Sequence, residues 1–339
     1  MKNHGAFDAC AADFPRLPGE KSDVARLRRA IEAAPRGVLY VPAGQYEIDE
    51  TLAVTNLCSL LFHKSAALRA VAPMEYILAY DAKAQHAKEN LPEDYNLFIR
   101  GGDFDGRGLA SCLFLSDYHH FTLADITLRN GLKFGLKVND PAQRKGYELI
   151  AANVYCRCNM PGLAGNVGIH TSGGDSHYTD CIVVDYTTGI EVSGGGANRF
   201  TRCHVWGGCI PPRRAGEDCE MLVNSVCFKI AGNATLLRDC YADTGKIGFY
   251  INGTTSLLGC CYYNNFFFKM DDTTVIRHEA GEALVADCTF IKTSPKSTIY
   301  RGPGAGVTWR NNTYTGYDDA DVPEADRTAI RNTETIYGI

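Results

Sequence analysis

The residues best suited to acid–base chemistry recur at one position of a repeated short strand. Each copy alternates apolar and polar side chains, as in Gly189-Ile190-Glu191-Val192, so its middle residue is expected to point away from the core. Stacked in register, the middle residues form one outward column: Lys137, His170, Glu191, Lys229, Tyr250 and Lys269. A carboxylate, an imidazole, a phenol and ammonium groups about one strand spacing apart have the parts for proton transfer.

Glu191 is the first candidate for a catalytic group, with His170 as a second, because the column places Glu191 between His170 and Lys229. Lys229 and Tyr250 are candidates for substrate binding, as are Asp175 and His177 in the polar stretch before the Glu191 strand. The alternative is a solvated strand face on which opposite charges pair. That alternative weighs most for the lysines at the two ends of the column.

Polar residues two positions after the middle one should form a flanking column: Asn139, Ser172, Ser193, Asn252 and Asp271. Asp185 and Asp243 follow at the next turn and are candidates for a second catalytic carboxylate. Other Asx residues recur in most copies: Asp125, Asn153, Asp180, Asp239, Asp287 and Asn311. A position repeated in most copies is typical of a turn, because short Asx side chains bond local backbone.

The element that must position these residues is a repeated coil. Segments of the form apolar, any, Asp/Asn/Arg, Cys, any, apolar recur along the chain, and the Cys slot is occupied by Ile126, Val154, Cys181, Cys203, Cys240, Cys261, Cys288 and Asn312. The slots lie 21 to 28 residues apart, except for one step of 37. Short strands at this period indicate stacked coils rather than the long helices of a TIM barrel.

The step of 37 residues contains an inserted loop with Arg213, Arg214 and Asp218. Loops on a rigid scaffold commonly form binding walls, so we expect these residues to bind substrate. Two adjacent arginines can hold a carboxylate or a phosphate bidentately. A solvated loop and a contact between subunits are the alternatives.

The 14 cysteines are too few for a small disulfide scaffold, and no CxxC pair provides a zinc template. We expect reduced thiols that act as small buried side chains. In particular, Cys181, Cys203, Cys240, Cys261 and Cys288 should form an inward, unbridged column. No metal or other cofactor is expected.

The first 60 residues differ from the coils. Val24, Leu27 and Ile31 have helical spacing, with Ser22 or Asp23 as the N-cap, and a strand, a turn and a strand follow over 37–48. The helix should cap the open end of the stack. The sequence therefore predicts a single domain over 1–339, with a cap and first strands over 1–60, coils over 95–316 and a C-terminal tail over 317–339.

The composition of the 339 residues narrows the class of partner. A net charge of −5 gives no electrostatic footprint for nucleic acid, and no apolar run is long enough to cross a bilayer. The N-terminal residues lack the apolar segment of a secretory signal, which predicts a cytoplasmic protein.

Two segments resemble a known family. Leu39-Tyr40-Val41-Pro42-Ala43-Gly44-Gln45-Tyr46, after a short helix, resembles the opening of pectate-lyase-superfamily β-helix proteins. Ile99-Arg100-Gly101-Gly102-Asp103-Phe104-Asp105-Gly106-Arg107-Gly108 resembles the early coil of polygalacturonase-like members. With the coils, the likeness covers most of the chain. It implies an all-β fold, a single-stranded right-handed parallel β-helix with a short N-terminal capping helix.

The resemblance implies a carbohydrate-active enzyme, since such proteins include glycoside hydrolases, polysaccharide lyases, uronate epimerases, inulin fructotransferases and phage tailspikes. The main expectation is cleavage of a glycosidic bond, in which Glu191 would act with a second carboxylate. The Asp180/Glu191 pair resembles the Asp and Glu of inulin-fructotransferase-like members. The Asn-Thr-Asp, Asp-Asp and Gly-His-Gly motifs of polygalacturonases are not recognisable here.

Two alternatives stay open. A lyase or uronate epimerase would use His170 or Tyr250 with Lys or Arg side chains. A non-catalytic β-helix would only bind glycans. In each case the expected partner is an oligosaccharide or polysaccharide, with candidate aromatic platforms at Trp206, Tyr241, Tyr262 and Tyr263. A homotrimer is expected by the same resemblance.

Overall fold

The computed structural model describes residues 7–81, 96–140, 146–160, 163, 165–207, 225–263, 272–292 and 296–327. Nearly all regular elements in these residues are β-strands paired in parallel with the next coil. The strands form three ladders, called faces A, B and C, and each turn of the chain visits them in that order.

Face A consists of Val38–Val41, Ser59–Phe62, Leu97–Arg100, the first halves of Tyr118–Arg129 and Gly146–Arg157, His177–Thr179, Arg199–Thr201, Thr235–Arg238, Thr255–Leu258, Ala283–Ala286 and Val307–Arg310, and Ala9–Cys10 pairs with its first strand. Face B consists of Gly44–Ile48, Ala66–Ala70, Asp103–Asp105, the second halves of the same two long strands, Ile182–Val184, His204–Trp206, Tyr241–Asp243, Cys261–Tyr263, Thr289–Ile291 and Thr313–Thr315. Face C consists of Leu52–Val54, Tyr76–Asp81, Ser111–Ser116, Phe134–Val138, Val167–Thr171, Thr188–Val192, Val226–Ile230, Ile247–Asn252, Thr274–Ala280 and Thr298–Arg301.

This arrangement confirms the predicted parallel β-helix. The ladders start earlier than the coil region predicted over 95–316, because Val38–Val41 already pairs with Ser59–Phe62, and Gly44–Ile48 with Ala66–Ala70. The repeat pattern does not reveal the early coils, because they lack the Cys slot that marks the later ones. Their inward side chains nevertheless join the same core, as the fully buried Ile48 and Leu68 show.

The short helix Val24–Glu32 covers the N-terminal end of the stack with the buried side chains of Val24, Leu27 and Ile31. Ser22 Oγ accepts a hydrogen bond from the Val24 N–H at 3.2 Å. The Asp23 carboxylate makes no cap bond and instead binds the side chains of Arg16 and Arg26. A 3-10 turn, Ala11–Asp13, precedes this cap. No helix in the described residues is long and apolar enough to cross a membrane.

The bend between faces A and B explains the recurring Asx residues. Asp125, Asn153, Asp180, Asp239, Asp287 and Asn311 all have a positive φ, between 53° and 57°. Short Asx side chains tolerate this left-handed conformation better than most residues. Neighbouring coils also bond at the bend, since Asn153 donates to Asp125 and Asn311 to Asp287. The prediction that Asp180 and Asp239 are structural fits this geometry.

The thiol column needs one correction. The register pairs Tyr241 with Cys261, which places Cys260, not Cys261, beneath Cys240. The inward column is therefore Cys181, Cys203, Cys240, Cys260 and Cys288, all buried, while Cys261 begins the outward face of its strand and is only half-buried. Gly259 occupies the bend of this coil at φ 64°, so the slot falls one residue earlier than the sequence pattern indicated. All cysteines in the described residues are unbridged.

The adjacent cysteines provide a matched test. Cys260→Ala should lower the free energy of unfolding by about 1 kcal/mol, because it leaves a methyl-sized cavity in a packed column. Cys261→Ala should change it by less than about 0.5 kcal/mol, as expected for a partly exposed position. Urea unfolding of both variants measures the difference. Equal losses, or a larger loss for Cys261→Ala, would contradict the corrected register.

Candidate functional site

The outward column on face C is the central feature of the candidate site. Strand pairing aligns Lys137 with His170, His170 with Glu191, Glu191 with Lys229, and Lys229 with Tyr250. The strand neighbours of Glu191, Ile190 and Val192, are fully buried, so alternation turns its carboxylate outward. The five residues thus stand on successive coils, about 4.8 Å apart along the ladder.

The next coil corrects the last predicted member. Lys269 lies outside the described residues, and the register pairs Tyr250 with Arg277, which in turn pairs with Arg301. The guanidinium of Arg277 lies 5.6 Å from the centre of the Tyr250 ring and binds Glu279 at 2.6 Å. The predicted column therefore continues as arginine rather than lysine. A cavity of about 800 Å³ opens beside Arg277 and Arg301.

An ion pair joins the centre of the column. Lys229 Nζ lies 2.7 Å from Glu191 Oε1, and the Glu191 side chain is 17% exposed while that of Lys229 is 41% exposed. Such partly exposed pairs contribute little stability. The Glu191 carboxylate and the Lys229 ammonium therefore lie side by side on a solvent-facing surface.

His170 is the buried member of the column. Its residue is only 9% exposed, its ring lies 5.3 Å from that of Phe134, and its Nε2 lies 2.9 Å from Ser193 Oγ. Burial lowers the pKa of His170 below its usual value, and the charge of Glu191 partly opposes this shift. The imidazole is therefore neutral near pH 7, and it is turned towards the corner between faces C and A rather than towards solvent.

That corner holds a second cavity, of about 600 Å³, called here the corner cavity. Its walls include Tyr147, Ser172, Asp175, Ser193 and the glycines at 173–174 and 194–196. The predicted flanking residues Ser172 and Ser193 thus lie together, since the register of their strands places one a coil above the other. Asp175, predicted to bind substrate, lies on this corner and is exposed.

Several predicted partners of Glu191 lie elsewhere. Asp185 is fully buried in the turn before the Glu191 strand, so it cannot touch a substrate on the surface. Asp243 and Trp206 face outward from face B, where Asp243 lies 3.5 Å from His204. The predictions of Asp185 and Asp243 as partners of Glu191 are therefore not supported by the geometry.

Other predicted residues are also separated from Glu191. His177 stands exposed on face A. Asp180 occupies the bend between faces A and B, bound by Arg202 at 2.7 and 2.8 Å, so the Asp180/Glu191 pair is not brought together on one face. Tyr262 is fully buried and cannot stack on a sugar, whereas Tyr241 and Tyr263 face outward on face B.

Arg213, Arg214 and Asp218 lie outside the described residues, in the segment 208–224 that joins His204–Trp206 to Val226–Ile230. Sequence reasoning did not find the Ser193–His170 bond or the role of Arg277 and Arg301. The Ser193 contact joins two predicted columns diagonally across neighbouring coils. The only sequence feature that could have indicated this contact was the constant spacing of two residues between the two columns.

Chemically, the column offers a carboxylate, two kinds of cation and a phenol in a line, with a neutral imidazole between Lys137 and Glu191. Within the described residues, Glu191 is the only carboxylate among the column members from Lys137 to Arg301. No group of three or more His, Cys, Asp or Glu side chains in the described residues could hold a metal ion. The groups present suit proton transfer and the binding of a negatively charged ligand.

The environment of His170 can be tested with two variants that should shift its pKa in opposite directions. Glu191→Gln should lower the pKa of His170 further, because the carboxylate raises it. Lys229→Gln should raise it, since the ammonium lowers it. A pH titration of the His170 Cε1–H resonance by NMR measures both. Shifts of the same sign, or none in either variant, would show that the column is not in contact as described.

Comparison with known proteins identifies the fold but no family. No family model matches the sequence. The search of curated proteins also gives no match. Solved structures do match. The A-module of mannuronan C-5 epimerase AlgE4 from Azotobacter vinelandii superimposes with a TM-score of 0.61 and 13% identity, over 91% of this chain and 95% of that one.

Two viral proteins are also similar. Tailspike protein 4 of bacteriophage CBA120, in its enzymatically active domain, matches with a TM-score of 0.63 and 10% identity over 93% of this chain. ORF18 of Geobacillus virus E2 matches with a TM-score of 0.59 and 13% identity over 90% of it. This chain spans only 45% of the tailspike and 60% of the ORF18 protein. At these identities the likeness concerns the fold, and the chain therefore has the fold of the pectate-lyase-like right-handed parallel β-helix proteins.

Proposed function

We propose that the protein is a carbohydrate-active enzyme that binds a glycan along face C and moves a proton at an acidic sugar, as a lyase or a uronate epimerase. The observation that carries this proposal is the order Glu191, Lys229, Tyr250 on successive coils. A cation stands between a carboxylate and a phenol on one outward face. The solved fold of a mannuronan C-5 epimerase module supports a glycan as the ligand.

The spacing of these groups suits one sugar ring. Glu191 and Tyr250 stand two strand spacings apart, about 9.5 Å along the ladder. A pyranose placed over Lys229 would have the carboxylate on one side and the phenol on the other. The Lys229 ammonium would then move from Glu191 to the carboxylate of the sugar, which makes the neighbouring C–H more acidic.

The proton transfers follow from this placement. Glu191 removes the proton from the carbon next to the sugar carboxylate, as a general base. In a lyase, the electron pair forms a carbon–carbon double bond, the glycosidic C–O bond breaks, and Tyr250 gives its proton to the leaving oxygen. In an epimerase, Tyr250 returns a proton to the same carbon from the opposite face. His170 takes no direct part, because it is buried and bound to Ser193.

Hydrolysis of a glycosidic bond is the second candidate, since the outward-facing Glu191 carboxylate also suits it. That reaction needs a second carboxylate within about 5 to 9.5 Å. Asp185 is buried, Asp243 faces outward from face B, and among the described residues no other carboxylate stands in the column from Lys137 to Arg301. We rank hydrolysis second for this reason.

The products separate these reactions. The protein is incubated with mannuronan, polygalacturonate and hyaluronan, and three signals are followed: ultraviolet absorbance of an unsaturated uronate, new reducing ends, and deuterium uptake from heavy water at the sugar carbon. Absorbance indicates a lyase, and deuterium uptake without cleavage an epimerase. Reducing ends without absorbance indicate a hydrolase.

Substitutions then test the residues. On the glycan that is turned over, Glu191→Gln and Tyr250→Phe should each lower kcat by at least about 100-fold, the usual effect of losing one acid–base group. The control is Asp243→Asn, which removes a carboxylate from face B and should keep wild-type turnover. Wild-type turnover in Glu191→Gln would leave the column as a solvated strand face, and no turnover on any acidic glycan would contradict the proposal.

A further inference from the structure

The corner cavity combines groups that the proposed function does not use. Ser193 is exposed at its wall, and its Oγ lies 2.9 Å from Nε2 of the buried His170. With the imidazole proton on Nδ1, which has no hydrogen-bond partner among the described residues, the serine hydroxyl donates to Nε2, as in a serine that an adjacent base activates as a nucleophile. The lowered pKa of His170, caused mainly by burial, keeps Nε2 available to accept that proton near pH 7.

The backbone after Ser193 provides hydrogen-bond donors. Among the residues that the structure describes, no acceptor pairs with the N–H groups of Gly194, Gly195 and Gly196. All three glycines line the same cavity. Backbone N–H groups on a turn directly after a nucleophile can stabilise the negative oxygen that forms when the nucleophile attacks a carbonyl.

The fold does not explain all of these glycines. Gly195 is required, because its φ is +70° and a Cβ there would lie 2.0 Å from the Gly173 carbonyl oxygen. At Gly194 and Gly196 an added Cβ would meet its nearest atoms at 3.9 Å and 3.7 Å, which is ordinary contact. An alanine Cβ would therefore fit the fold at these two positions. Because both positions line the cavity, a larger side chain there would take up part of its space. Glycine there leaves room for a ligand next to Ser193.

We propose that Ser193 and His170 form a serine–histidine dyad that hydrolyses an ester, and that its substrate is an O-acylated sugar. The corner cavity is lined mainly by glycines and short side chains, with the Asp175 carboxylate on its wall, which suits a small uncharged acyl group such as acetyl better than an anionic one. The ring of Tyr147, on the same wall and 43% exposed, offers a surface on which a sugar can stack.

The reaction balances with water as the only co-reactant. Ser193 Oγ attacks the carbonyl carbon of the ester while its proton moves to His170 Nε2. The N–H groups of the glycine turn bind the resulting oxyanion. The bond to the sugar oxygen then breaks, and His170 returns the proton to that oxygen. Water, deprotonated by His170, attacks the acyl-serine and releases the carboxylic acid, which regenerates the hydroxyl.

The first experiment uses 4-nitrophenyl acetate as the probe. Ser193→Ala should lower the rate of nitrophenolate release at least about 100-fold, towards that of an equal concentration of free imidazole. The control is Ser256→Ala. Ser256 lies on the face A strand Thr255–Leu258, outside the corner cavity, so this variant should keep the wild-type rate. Circular dichroism checks that both variants fold.

The second experiment separates a nucleophile from a residue with only a structural role. A fluorophosphonate should label the wild-type protein on the peptide that contains Ser193, and His170→Gln should lower the labelling rate at least about 100-fold. Wild-type turnover in Ser193→Ala, absence of label on Ser193, or hydrolysis no faster than free imidazole would each overturn the dyad. These outcomes are independent of the acidic-glycan assays, because probe and products differ.

Discussion

The hydrogen-bond ladder between successive coils is the constraint on which the rest of this structure depends. Parallel pairing fixes each residue about 4.8 Å from its equivalents in the coils before and after. On face C this stacks the buried Ile169, Ile190, Phe228 and Phe249 into the core, and the same strands turn His170, Glu191, Lys229 and Tyr250 outward. Core and candidate site therefore share their backbone, so a shift of register would disrupt both at once.

The bend between faces A and B constrains which carboxylates are available for catalysis. Each coil from Asp125 to Asn311 places one residue there at positive φ, and Asp, Asn and Gly do this at low cost. Arg202 is the exception, with φ 51°, and its side chain binds Asp180 of the preceding coil through two hydrogen bonds. The bend thus uses carboxylates as structural groups, which removes Asp180 from the set that could act with Glu191.

The alternation of apolar and polar residues along each strand was the sequence feature that predicted side-chain direction correctly. It placed Lys137, His170, Glu191, Lys229 and Tyr250 in one outward column, because the side-chain period of two holds within each strand and pairing aligns equivalent strands. It could not assign residues near the bends. Whether Cys260 or Cys261 points inward depends on one residue of the bend, and whether Asp185 is exposed depends on how the next turn folds. Asp243 has the outward position that alternation allows, but on face B.

The orientation of His170 links the two chemistries proposed for face C. Its imidazole stands in the ladder between Lys137 and Glu191, yet its Nε2 reaches Ser193, two residues beyond Glu191 along the next strand. Burial removes its charge, so it neither competes with Lys229 for the Glu191 carboxylate nor repels the ammonium. Glu191 therefore keeps Lys229 as its partner, and the neutral imidazole is left to accept a proton at the corner cavity. A charged histidine at this position would pair with Glu191 and leave Ser193 without a base, so the burial of one side chain allows both arrangements to exist on adjacent coils.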